Sequence, residues 1–114
     1  MTVGRVVPVL NIIKDRSPNM YRVLIADDEK IEREGIKFLL AQEEGEYEIH
    51  EAANGRQALN VLRSEEIDFL LTDIKMPHMD GLELAGKARE EYPNLPIVIF
   101  SGYSDFAFAQ EAMH

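Results

Sequence analysis

The stretch FLLTDIKMPHMDG, residues 69–81, places an apolar run directly before an aspartate, Asp73, and follows it with a proline turn and an Asp-Gly pair. An unbroken apolar run of this length is typical of a strand that is covered on both faces of a sheet. A carboxylate at the end of such a strand costs free energy if it is buried without a partner. The stretch therefore predicts a central strand that delivers a functional aspartate to one edge of a sheet.

Strand and helix patterns alternate on both sides of this stretch, from Tyr21 onward. Four short apolar runs predict strands, and four segments with apolar residues at helical spacing predict helices. The predicted strands are YRVLIA, YEIHEA, IDFLLT and LPIVIF. This order predicts an α/β fold with a doubly wound parallel sheet and helices on both faces. Right-handed crossovers bring the carboxyl ends of the strands to one edge, where such folds bind ligands.

Three of the predicted strands end in polar residues at that edge. The first is followed by Asp27, Asp28 and Glu29, the third ends at Asp73, and the fourth is followed by Ser101. Converging carboxylates repel one another unless a proton or a cation neutralises them. Oxygen ligands without a Cys/His cluster disfavour zinc and favour Mg²⁺. An aspartate beside Mg²⁺ can act as a nucleophile toward phosphorus, which gives an aspartyl phosphate.

These motifs together resemble the receiver domain of bacterial two-component response regulators. The resemblance rests on YRVLIADDE, LLTDIKMPHMDG and IVIFSGYSD, and it extends over residues 21–114. It implies a CheY-like, flavodoxin-like fold of five strands and five helices. The segment FSGYSDFAFAQEAM is similar in particular to receivers that precede an AraC-type helix-turn-helix domain.

The resemblance also implies a role for each candidate residue. Asp73 is expected to accept a phosphoryl group from a phosphohistidine of a sensor histidine kinase. Asp28 is expected to bind Mg²⁺ directly, together with Asp73 and the backbone carbonyl of Lys75, while Asp27 supports the metal from a second layer. Ser101 is the hydroxyl that turns toward the phosphoryl group. Such a domain is a switch that assists its own phosphorylation rather than an enzyme, and it controls an output such as transcription through a DNA-binding domain of the parent chain.

The chain departs from this pattern at its C-terminal end. It stops within the fourth predicted helix, before the fifth strand and the lysine that pairs with the phosphoryl group in the family. We therefore predict a receiver fold that is truncated before the fifth strand and that exposes an apolar edge. An exposed edge of this kind is compatible with a homodimer.

Residues 1–20 lie outside the receiver pattern, and we interpret them as an N-terminal leader or extra strand. Their apolar run is interrupted by Pro8 and Asn11, and it is too short to span a bilayer. The run ends at Lys14, which suggests a substitute for the missing strand. The six residues that link it to the first strand reach across the sheet only when fully extended, so a leader is favoured.

Composition and individual residues disfavour several other functions for this chain. The net charge of −9 disfavours binding of nucleic acid or an anionic membrane by this chain alone. The absence of cysteine excludes disulfides and agrees with a cytoplasmic location. The main alternative is a receiver-like interaction module that works without phosphorylation. A Mg²⁺-dependent phosphohydrolase is disfavoured because Lys75 stands where such enzymes place a second aspartate.

Overall fold

The structure is a computed structural model, and it describes residues 20–112. Strands and helices alternate along the whole of this range. The elements are β1 (Tyr21–Ala26), α1 (Lys30–Leu40), β2 (Tyr47–Ala52), α2 (Gly55–Ser64), β3 (Phe69–Asp73), α3 (Gly81–Glu91), β4 (Ile97–Phe100) and α4 (Gly102–Ala112). The order predicted from the sequence is confirmed, and the predicted leader falls outside the described residues except for Met20.

The four strands form one parallel sheet in the order β2-β1-β3-β4. The central strands β1 and β3 are almost entirely buried, whereas β2 at one edge keeps a partly wet surface. The chain builds outward from β1 to β2 and then, in the opposite direction, from β3 to β4. The crevice at this change of direction lies between the carboxyl ends of β1 and β3, which is where open α/β sheets place their ligands.

Two apolar clusters cover the two faces of the sheet. One cluster joins α2 and α3 to the sheet through side chains such as Leu59 and Leu84. The other joins α1 and α4 to the opposite face through Ile36, Leu40 and Phe106. Because both faces are covered, the fold is doubly wound, as the sequence predicts.

Capping side chains fix where two of the helices begin on the edge that carries the site. The carboxylate of Asp80 accepts a hydrogen bond from the backbone N–H of Glu83 at the start of α3. Asn54 caps α2 in the same way by accepting from the backbone N–H of Gln57. These bonds satisfy donors that a helix leaves free in its first turn, so each loop enters its helix in one fixed direction.

The last helix packs on the face that carries α1. Phe106 of α4 is buried and meets Phe100 of β4 with 5.5 Å between ring centroids. The side-chain amide of Gln110 donates to the backbone carbonyl of Leu39 and to the carboxylate of Glu43. The side chains of β4 are therefore buried between α4 and α3, each with 9% exposure or less. The strand β4 is the outer strand of the described sheet, and the predicted apolar edge stays a prediction.

Gly35 allows α4 to lie close against α1, and this contact gives a first testable prediction. A Cβ at Gly35 would lie 2.7 Å from Cδ1 of Tyr103, so the ring would have to move. We expect Gly35→Ala to loosen α4, because a small clash in a packed interface costs about 1–3 kcal/mol. Amide hydrogen exchange in α4 should accelerate relative to wild type, while exchange in β1 stays unchanged. Unchanged exchange in α4 would contradict this docking.

Among residues 20–112, the structure contains no helix that is both long and apolar enough to span a membrane.

Candidate functional site

The sheet brings Asp27 and Asp73 to neighbouring positions at the central crevice. Asp27 directly follows β1, and Asp73 is the last residue of β3. The two strands pair so that Ala26 lies beside Thr72, one residue before each aspartate. Asp27 is completely buried and Asp73 is 7% exposed. Two predicted site residues are therefore held side by side on rigid elements.

Glu32, which was not among the predicted site residues, is the third carboxylate of this group. One carboxylate oxygen from each of Asp27, Glu32 and Asp73 lies within 4.8 Å of the other two. Glu32 belongs to the first turn of α1, one turn before the buried Ile36. The signal in the sequence was a charged residue at the i−4 position of a core residue, where helical spacing predicts an inward-facing side chain.

Two oxygens of this group are buried without a hydrogen-bond partner. They are Oδ2 of Asp27 and Oε1 of Glu32, and no other buried side-chain nitrogen or oxygen of residues 20–112 shares this condition. Buried polar atoms are nearly always paired in native proteins, because an unpaired one loses its hydration without compensation. The two oxygens therefore mark a place where a proton or a ligand is required.

The electrostatics of Asp27 agree with this requirement. Its pKa is raised to about 8, chiefly by burial and in part by the neighbouring carboxyl groups of Glu32 and Asp73, against the opposing effect of the hydrogen bond from the backbone N–H of Glu29. That N–H donates to Oδ1 of Asp27 over 2.9 Å. Without a cation, Asp27 thus holds a proton at neutral pH, since proximity to like charge and loss of water both disfavour its ionised form.

Main-chain donors orient the carboxylate of Asp73. Its Oδ1 accepts from the backbone N–H of Gly102 over 3.2 Å and, more weakly, from that of Lys75 over 3.5 Å. Burial raises the pKa of Asp73, and these backbone donors oppose that increase. Gly102 has a φ of 80°, a conformation that L side chains rarely adopt. The turn after β4 therefore presents its N–H to Asp73.

The other predicted site residues lie around the rim of the crevice. Asp28 is exposed and lies outside the group of three carboxylates. It lines a cleft of about 510 Å³ together with Lys75 and Asp80. Ser101 is exposed directly after β4, and its backbone N–H donates to the carboxylate of Asp105. The structure thus places Asp28, Lys75 and Ser101 at the same edge as Asp73, and their individual roles stay predictions.

Arg33 fixes the loop that carries the acidic residues. Its guanidinium donates through Nη1 to the backbone carbonyl of Asp27 over 2.7 Å and through Nε to the carboxylate of Glu51 over 2.8 Å. Lys37 also pairs with Glu51, so one carboxylate of β2 anchors two cations of α1. The β1–α1 loop is thereby tied to the edge of the sheet.

The start of α3 packs closely against the main chain of Asp73 and Ile74. The backbone N–H of Gly81 donates to the carbonyl of Ile74 over 2.8 Å. A Cβ on Gly81 would contact the carbonyl oxygen of Asp73 and would lie 2.9 Å from Cα of Ile74. Only glycine leaves room for the helix to approach the strand this closely, so the loop after Asp73 closes tightly on itself.

Comparison with known proteins agrees with this geometry. The sequence pattern of the response regulator receiver domain matches residues 23–114. The chain belongs to this family. The predicted receiver fold is confirmed by the four parallel strands and flanking helices of residues 20–112 and by the similarity to solved receivers.

Among curated relatives, this receiver domain is similar to YesN of Bacillus subtilis, an uncharacterized transcriptional regulatory protein, with 38% identity over 82% of this chain and 26% of YesN. The chain thus spans about a quarter of the length of that relative.

Two solved structures are also similar. The response regulator TrrA of Thermotoga maritima, solved in complex with Mg²⁺-BeF, shows 39% identity and a TM-score of 0.67 over 72% of this chain and 70% of TrrA. A two-component transcriptional regulator AraC of Clostridium phytofermentans shows 34% identity and a TM-score of 0.64 over 81% of this chain and 72% of that one.

Proposed function

We propose that this receiver domain accepts a phosphoryl group on Asp73 from a phosphohistidine of a sensor histidine kinase, in a reaction that requires Mg²⁺. The observation that carries the proposal is the buried Asp73 carboxylate at the switch point of the sheet. It is oriented by the backbone N–H groups of Gly102 and Lys75, and it lies beside the unpartnered oxygens of Asp27 and Glu32.

The residues at the crevice fit a magnesium ion. Carboxylate oxygens are hard ligands for a divalent cation, and the charge of a cation beside Asp73 would offset the unpartnered oxygens of Asp27 and Glu32. Asp28 and Asp73 would hold the ion together with the backbone carbonyl of Lys75, and Asp27 would contact it through water. When bound, the ion screens the charge of the incoming phosphoryl group and orients it.

The residues of the chain then perform the transfer by positioning. A carboxylate oxygen of Asp73 forms the new bond to phosphorus while the bond from phosphorus to the histidine nitrogen breaks. The electron pair of that bond stays on the imidazole, which takes a proton from solvent. In this proposal the N–H of Gly102 and the hydroxyl of Ser101 would donate to phosphoryl oxygens, and such new hydrogen bonds would bias the loop toward one conformation.

The switch is proposed to control transcription in the cytoplasm through a DNA-binding output domain of the parent chain. Support comes from the similarity to transcriptional regulators, one of them of AraC type. This acidic chain itself is not proposed as the DNA-binding part, because the net charge of −9 over its 114 residues repels a phosphate backbone. The histidine kinase and the output domain are therefore its proposed partners, and a homodimer stays a prediction.

Phosphorylation of Asp73 is tested by the intact mass of the chain after incubation with Mg²⁺ and acetyl phosphate. We expect an adduct of one phosphoryl group on the wild type and none on Asp73→Asn, because the amide is not a nucleophile toward phosphorus. Omission of Mg²⁺ should remove the adduct from the wild type. An adduct of equal amount on both proteins would place the acceptor elsewhere. No adduct on either would favour the interaction module that works without phosphorylation.

A further inference from the structure

Glu32 differs from the other acidic side chains of its neighbourhood. Glu34 and Glu51 are both paired with the ammonium group of Lys37, and Glu51 is also paired with Arg33. No cation among residues 20–112 lies within ion-pair distance of Glu32. One of its oxygens is instead buried without a partner, in the group that contains Asp27 and Asp73. No cationic partner within the described range therefore explains the inward position of Glu32.

The carboxylate of Glu32 also lies close to Gly102, in the turn after β4. Its Oε2 lies 3.4 Å from the place where a Cβ of Gly102 would be. Gly102 is the residue whose N–H donates to Asp73, and it directly follows Ser101. The carboxylate of Glu32 thus lies beside the turn whose N–H, in the proposed function, would donate to phosphoryl oxygens on Asp73.

We propose that Glu32 is a further carboxylate of this site, one that strengthens binding of a divalent cation and opposes retention of a phosphoryl group on Asp73. The inference rests on the proposed function for its second half only. A negative group a few ångströms from a divalent cation attracts it, and in a partly buried site this attraction is weakly screened. The same group repels the phosphoryl oxygens, which bring additional negative charge to the site.

These two effects have opposite signs, and this provides a test that a merely structural role would not satisfy. The variant Glu32→Gln keeps the shape of the side chain and removes its charge. Affinity for Mg²⁺, measured by calorimetry on the full chain at low ionic strength, is expected to weaken about three- to tenfold. At saturating Mg²⁺, the phosphoryl adduct from acetyl phosphate is expected to form in larger amount and to decay more slowly than on the wild type.

Two further variants isolate the charge of Glu32. Glu32→Asp retains the charge, and its Mg²⁺ affinity should lie closer to that of the wild type than to that of Glu32→Gln. Glu34→Gln removes the same charge from an exposed position of α1, where it pairs with Lys37. Its Mg²⁺ affinity should stay within about twofold of the wild type, because exposed charges are largely screened.

The outcomes separate this inference from the proposed function. A Mg²⁺ affinity of Glu32→Gln equal to that of the wild type, or a fall in both affinity and adduct, overturns the inference even if the wild type is phosphorylated. A wild type that binds Mg²⁺ but forms no adduct overturns the proposed function. In that case a weaker affinity of Glu32→Gln still assigns Glu32 to the cation site.

Discussion

Replacement of Gly81 by alanine is expected to lower the free energy of unfolding by about 3 kcal/mol or more, a large share of the stability of a small domain. The added Cβ would meet the carbonyl of Asp73 and lie 2.9 Å from Cα of Ile74. Both are main-chain groups of a buried strand end, and they cannot rotate away as a flexible side chain would. Relief of the clash requires α3 to move away from β3, which also breaks the hydrogen bond from Gly81 to Ile74.

Urea unfolding followed by circular dichroism measures this effect, and the same helix offers a matched control. Gly86 lies in the middle of α3, and a Cβ added there would have no neighbouring atom within 4 Å. Gly86→Ala should therefore raise stability by about 0.5–1 kcal/mol through helix propensity alone. Similar unfolding midpoints for the two variants would show that the approach of α3 to Asp73 is not as close as described.

Gly81→Ala should also impair phosphorylation in the fraction that stays folded. The carbonyl displaced by the new Cβ belongs to Asp73 itself, so a shift there moves the carboxylate relative to the N–H of Gly102. Displacements of this kind are costly in reactions that depend on positioning. Slower formation of the adduct, compared with Gly86→Ala, is the expected result.

The second large effect concerns Asp27, whose replacement by asparagine should stabilise the metal-free protein at pH 8. The pKa of Asp27 is raised by burial to about 8 in the folded state, from 3.8 in an unperturbed carboxyl group. The folded state therefore holds a proton that the unfolded state releases, and stability from this group falls as pH rises from about 4 to about 8. The asparagine side chain carries no charge to neutralise, so this loss disappears in the variant.

Unfolding in urea at pH 5 and pH 8, with a chelator present, checks the sign. The wild type should lose stability between these values, whereas Asp27→Asn should lose markedly less and exceed the wild type at pH 8 on the order of 2 kcal/mol. The measurement is confined to pH 5 and above because Glu48, Glu51 and Glu91 have lowered pKa values. These three groups make stability rise with pH, but only in a more acidic range. Equal pH dependence of the two proteins would contradict the protonated state of Asp27.

Addition of Mg²⁺ should make the wild type more stable than Asp27→Asn at pH 8, the reverse of the order expected without metal. In the proposed function a divalent cation would replace the proton as the partner of the buried carboxylates, and it would stabilise the wild type through preferential binding to the folded state. Asp27→Asn lacks one of these carboxylates and should gain less from the same concentration. Under the proposed function, the charge that destabilises the metal-free protein at pH 8 would also attract the cation, so stability and function would compete at Asp27.

Much of this molecule followed from local pattern in the sequence. The apolar run before Asp73 predicted a buried central strand, and β3 is buried throughout. Polar and apolar residues alternate in YEIHEA, a pattern typical of a strand with one solvent-exposed face, and β2 lies at the edge of the sheet. Parallel pairing then brought Asp27 and Asp73 together without any knowledge of side-chain packing, because strand order and crossover handedness fix which strand ends meet.

Other features were decided only by the tertiary structure. Helical spacing indicates only that Glu32 faces inward, whereas its approach to Asp27 and Asp73 depends on the folded structure; Asp28, adjacent to Asp27 in sequence, remains on the exposed rim. The position of α4 beside α1 depends on long-range contacts of Phe106 and Gln110 rather than on its own sequence pattern. Sequence determined the elements and the strand ends, since these depend on period and order along the chain. Folding alone determined which side chains share the site, because that depends on distances between residues far apart in sequence.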